Sequence, residues 1–168
     1  MAYAVVNTDR MSGTEDSSQL LSVRFYDEND EVAAIENGAI VAYGTLLANE
    51  REIRKATAPD GTETIDALAL VANPELKMND WRQKYFPLDE YINEAGQAIR
   101  AFRFHQNDGF SVTKEAFVST DTPAKGNSVY TKADSTKLTT TSGGTKIGVI
   151  DDVWTLGGYT YYYIVVAL

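Results

Sequence analysis

The stretch GGYTYYYIVVAL, residues 157–168, constrains the fold more than any other part of this chain. Past its two glycines it holds no charge, one non-aromatic polar residue in Thr160, and four tyrosines within five positions. Side chains of a strand alternate between faces. Tyr159, Tyr161, Tyr163 and Val165 therefore share one face, and Tyr162, Ile164, Val166 and Leu168 the other, so both are aromatic or aliphatic. Such a strand is covered on both sides, by its own domain or by another chain. The Gly157-Gly158 pair suits a two-residue hairpin. That hairpin sets Trp154 opposite Tyr161, Asp152 opposite Tyr163 and Ile150 opposite Val165. Two readings stay open: a central strand of the protein's own core, or a strand with one face against a partner. A tyrosine hydroxyl tolerates a wet rim, which makes Tyr159, Tyr161, Tyr162 and Tyr163 the candidate interface.

The rest of the chain has the same β character. A run at Leu21–Tyr26 and a second through Leu47 flank a charged turn and Gly38. A third follows the Pro59-Asp60-Gly61 turn, from about Thr64 to Val71. Pro74 and Pro87 argue against a continuous helix through the middle, leaving a short helix near Leu88–Glu94 or a long loop with a strand near Tyr85. Alternation before Asn107-Asp108-Gly109, and Phe110 and Val112 after it, predict a hairpin. Four strand-like pieces follow, VYTKAD, TKLTTT, TKIGVIDDVWTL and YTYYYIVVAL. The expectation is a mainly β protein, a compact β-barrel or β-sandwich with short hairpins and little helix. Residues 1–19 are polar and aperiodic and read as a flexible N-terminal arm. A β-rich domain would then span 20–118 and a C-terminal β subdomain, packed with it, 119–168; the polar segment Val118–Ser128 connects them.

Composition narrows the chemistry. With 168 residues, 43% of them apolar, the chain can bury a core without staples. It has no cysteine, which removes disulfides, thiolate metal sites and a cysteine nucleophile. The start lacks the basic and apolar regions of a secretory signal. The apolar run at the end falls short of the roughly 20 residues of a spanning helix. A net charge of −9 disfavours direct binding to nucleic acid, and no membrane partner is expected.

Individual motifs are weak. His105 is the single histidine and reads as a surface or hydrogen-bonded structural residue. In the acidic run DENDE, Asp27–Glu31, the sixth and twelfth positions of a calcium loop would be Val32 and Gly38, so a solvated turn is expected. SGGTKIG, Ser142–Gly148, departs from the phosphate-binding pattern and leads into a strand. Glu50 and Glu52 around Arg51 read as a charged strand edge. Trp81, Tyr85 and Tyr91 could stack on a sugar, but aromatic anchoring of core or loop is the commoner use. No catalytic residue, metal site or cofactor is expected.

The stretches ENGAIVAYGTLLANEREIRKATAP, INEAGQAIRAFRFHQNDGFSVTKEAF and GTKIGVIDDVWTLGGYTYYYIVVAL resemble structural proteins from the heads of tailed bacteriophages. Gly38, Gly44, Glu50, Arg51, Asp108, Gly109 and Phe110 carry the resemblance. It implies a non-enzymatic decoration or cement protein, made in the host cytoplasm and located on the virion. Its partner would be the major capsid protein, with self-association on the shell. The alternatives are a tail or fibre component touching host glycans and a carbohydrate-active hydrolase using acids such as Glu50 or Asp108.

Overall fold

The computed structural model describes residues 2–14, 16–79, 82–84 and 87–167. The described strands are, in chain order, β1 (Val6–Asn7), β2 (Leu20–Phe25), β3 (Ile40–Leu46), β4 (Ile53–Thr57), β5 (Leu68–Val71), β6 (Lys77–Asn79) and β7 (Arg82–Lys84). They continue with β8 (Ile99–Arg103), β9 (Gly109–Thr113), β10 (Ser128–Thr131), β11 (Leu138–Thr139), β12 (Lys146–Leu156) and β13 (Tyr159–Val166). Helical structure among the described residues is limited to single 3-10 turns, one of them at Leu88–Glu90. The protein is mainly β and compact, as its sequence predicts.

Two bodies of sheet share the core. One is a closed barrel in the order β2-β4-β3-β5-β8, and the other a six-stranded antiparallel sheet in the order β1-β9-β13-β12-β10-β11. The barrel closes through a parallel pairing of β2 with β4, Ser22 opposite Ile53 and Phe25 opposite Ala56. Five strands leave little interior room, and small side chains occupy much of it: Ala39, Ala56, Ala69 and Ala101 pack there with Val23, Val41, Val71 and Ile99. The opposite faces of β3, β5 and β8 present Ile40, Leu68, Leu70 and Phe102 to the sheet, which contributes Phe110, Val112, Ile147, Ile150, Ile164 and Val166. Strand β5 is consequently buried at all four positions, which is why it reads LALV without alternation.

The N-terminal segment corrects the expectation of a flexible arm. Ala4, Val5, Val6 and Met11 are almost fully buried, and β1 adds an edge strand to β9 with Val6 opposite Val112. The buried positions are few and irregularly spaced among polar residues, so they leave no periodic signal, yet they fill the seam between barrel and sheet. Asn7 and Asp16 cap short turns by accepting from the backbone amides of Asp9 and Ser18.

The Asn107-Asp108-Gly109 turn forms, but it joins no hairpin. Strand β8 pairs with β2 and β5, whereas β9 pairs with β1 and β13. The turn is where the chain leaves the barrel for the sheet. Its left-handed residue is Asn107, at φ 69°. Gly109 serves a different need: a Cβ there would stand 2.0 Å from the Tyr163 hydroxyl, whose ring lies across it. Segment 118–127 leads into β10 of the sheet, and Gly126 donates its amide to the Ile150 carbonyl of β12.

Candidate functional site

The β12–β13 hairpin forms at Gly157-Gly158, both with positive φ, at 61° and 89°. Trp154 faces Tyr161 and Asp152 faces Tyr163, as the sequence predicts. The register shifts between Ile150 and Asp152, so Ile150 lies opposite Ile164 rather than Val165. A bulge of this kind inserts one residue into one strand, and nothing in the sequence announces it.

The four tyrosines divide by face. Tyr162 packs against the shared core with Ile164 and Val166, and its ring meets Phe117 edge-on at 5.6 Å. It is an inner residue. Tyr159, Tyr161 and Tyr163 lie on the outer face of the sheet, where Tyr161 stacks on Trp154 at 5.0 Å and tilts against Tyr159 at 6.4 Å. Tyr161 is nonetheless buried, while Tyr159 and Tyr163 are half-buried. At the hairpin end Leu156 is 53% and Val153 38% exposed, an apolar tip on an acidic protein.

Tyr159 and Tyr161 form one wall of a cleft of about 480 Å³. The N-terminal turn supplies Asn7, Thr8 and Asp9, and the central segments supply Glu75, Pro87 and Leu88. A buried polar network sets Glu75 in place. The Asn37 amide nitrogen donates to the Asn73 carbonyl at 2.9 Å and to Glu75 Oε1 at 3.3 Å, and Asn37 Oδ1 accepts from the Asn73 backbone amide and from Asn93. The Tyr91 hydroxyl accepts from Asn73 Nδ2 and donates to Asn93 Oδ1, and burial pushes its pKa up. Burial also raises the pKa of Glu75, opposed by the hydrogen bond from Asn37. Burial raises Tyr161, with the charges of Glu75, Tyr159 and Asp9 adding to it. Tyr159 is raised by burial and by donating to Asp89 Oδ1 at 3.0 Å. Acidic groups thus surround the two rings.

The other sequence candidates take structural positions. His105 is half-exposed and hydrogen-bonds Gln19 through Nδ1 at 2.6 Å. Asp108 accepts from Gln19 Nε2 and from the His105 backbone amide. Glu50 pairs with Arg24 at 3.1 Å. In DENDE, Asp27 Oδ1 accepts the amides of Asn29 and Glu31 and closes a turn, which holds the Asp27 carboxyl below its ordinary pKa. Gly144 of the glycine-rich loop packs against the Thr131 backbone, where a Cβ would meet the carbonyl at 2.2 Å. Tyr91 is buried in the asparagine network, while Trp81 and Tyr85 lie outside the described residues. Among the described residues there is no cluster of potential metal ligands and no helix long and apolar enough to cross a membrane.

Asp9, Glu75, Leu88 and Asp89 escaped the sequence reading. They are scattered over three segments that only folding brings beside Tyr159, and no motif links them. No known protein family, curated protein or solved structure matches the chain.

Proposed function

We propose that this chain is a non-enzymatic structural protein of a bacteriophage virion that binds and stabilises the outer surface of the capsid. Its partner is the major capsid protein, and neighbouring copies associate on the shell. The observation that carries this reading is the outer face of the β12–β13 hairpin, where half-buried Tyr159 lies opposite the exposed Leu156 at the tip and half-buried Tyr163 continues the same face further along the strand. Aromatic side chains on a rigid strand offer contact area at low entropic cost, as interface centres require. The barrel beneath anchors that face through the shared core. The resemblance of residues 36–168 to phage head proteins supplies the class of partner.

Co-sedimentation of the purified protein with expanded phage capsids tests the proposal. Saturable binding is expected, weakened at least tenfold by Leu156→Asp with the fold retained, in line with the loss of a central apolar contact. Absence of binding to capsids, together with retention on a glycan array or turnover of a polysaccharide, overturns it.

A further inference from the structure

The cleft beside the tyrosines has a definite chemistry. Its described lining includes Asp9 and Glu75 and no lysine or arginine. The acids make no ion pair with a described residue. Two other tyrosines do carry cations of the protein's own, Lys55 at 5.1 Å from the Tyr26 ring and Arg103 at 5.4 Å from the Tyr43 ring. Over Tyr159 and Tyr161 no described cation is placed.

A cation entering here meets two favourable fields at once, the electron-rich ring of half-buried Tyr159, backed by the buried Tyr161, and the carboxylates. Leu88 and Leu156, exposed at the margin, offer apolar surface to the methylene stem that lysine and arginine carry behind their charge. Arginine fits best, because its planar guanidinium can stack on a ring while it hydrogen-bonds a carboxylate in its own plane. The network of Asn37, Asn73 and Asn93 holds Glu75 in advance, so little ordering remains to be done on binding. The raised pKa of Glu75 is the mark of a carboxylate that loses solvent without gaining a counter-charge, and an incoming cation would supply one.

We propose that the cleft between Tyr161, Tyr159, Glu75 and Asp9 receives an arginine side chain from the protein partner. This rests on the reading of the outer tyrosine face as a contact surface, and it names the group on the other side. The overall negative charge assists by drawing a basic segment towards the protein.

The test uses the full chain and a short probe, acetyl-Gly-Arg-Gly-amide, titrated into isotopically labelled protein and followed by amide chemical shifts. Its control carries citrulline, which keeps the shape of arginine and lacks the charge. Expected are saturating shifts centred on Asp9, Glu75, Tyr159 and Tyr161, with citrulline weaker by about tenfold, as for loss of a charge-assisted contact. Glu75→Gln and Asp9→Asn should each weaken the arginine peptide about threefold while leaving the rest of the spectrum in place. Equal shifts from both peptides, shifts elsewhere, or a response at these residues to chitotriose and not to arginine would overturn the inference. The capsid reading fails or stands separately. Capsids that bind wild type and Glu75→Gln equally leave decoration intact and remove the arginine site, whereas an arginine response without capsid binding does the reverse.

Discussion

Met11 tests whether the N-terminal segment belongs to the fold. Its side chain is 5% exposed and packs in the core between barrel and sheet, at the end of a 3-10 turn that follows β1. Replacement by alanine removes three heavy atoms of side chain and leaves a space that neighbours on two sheets cannot both move to fill. Large-to-small changes at such sites cost about 2–5 kcal/mol. The lower half of that range applies here, because the segment lies near a terminus and can relax, giving about 2–3 kcal/mol. For a domain of this size, that corresponds to a fall in melting temperature of roughly 4–12 °C. Urea unfolding followed by tryptophan fluorescence should show a lower midpoint with an unchanged slope, since the surface exposed on unfolding is nearly the same. Thr8→Ala, at an exposed position three residues earlier, serves as the control and should fall within about 0.5 kcal/mol of wild type. The amide of Thr113, which donates to the Val5 carbonyl, should also exchange more slowly than an edge-strand amide. If Met11→Ala changes stability by less than about 0.5 kcal/mol, and Thr113 exchanges freely, residues 1–11 are loose in solution and their polar composition is the better guide.

Two glycines should respond differently to alanine. At Gly148 the added Cβ would lie 2.1 Å from the Val165 carbonyl oxygen, a backbone collision within β12–β13, whereas at Gly109 the three atoms it would meet first all belong to the Tyr163 side chain. Both substitutions should cost at least about 1–3 kcal/mol, but Tyr163→Ser should recover part of the loss only for Gly109→Ala, which a double-mutant cycle by urea unfolding would reveal. Equal coupling at both sites refutes the packing argument. For Glu75, the folded pKa is raised above the ordinary 4.5 by burial, so its charged form is disfavoured in the folded state. The resulting penalty is absent below the unfolded pKa and grows as pH rises through the folded one. Glu75→Gln, which keeps an oxygen for Asn37, should therefore gain stability relative to wild type between about pH 4 and neutrality; thermal melts across that window check it, and a constant difference would contradict the sign.

Local chemistry made much of this protein legible. The Gly157-Gly158 turn and the alternation on either side fix Trp154 opposite Tyr161 and place the tyrosines on alternate faces, because both follow from the two-residue period of a strand. The β character of Leu21–Tyr26, of the stretch following Gly38 and of the pieces after residue 128 was equally local. Tertiary structure decided what depends on distant partners. Charged EREIRKAT read as an edge, yet Ile53–Thr57 closes the barrel by pairing in parallel with β2, with Ala56 inside and the side chains of Arg54 and Lys55 partly exposed. Asn107 and Gly109 read as a hairpin, yet the neighbours of β8 and β9 come from elsewhere in the chain. A turn signal fixes the reversal of the backbone but not which strand lies beside it. The same limit applies to the cleft. Whether Tyr161 faces a carboxylate depends on where residues 9 and 75 arrive, and only the packing of barrel against sheet brings those two segments to the same wall.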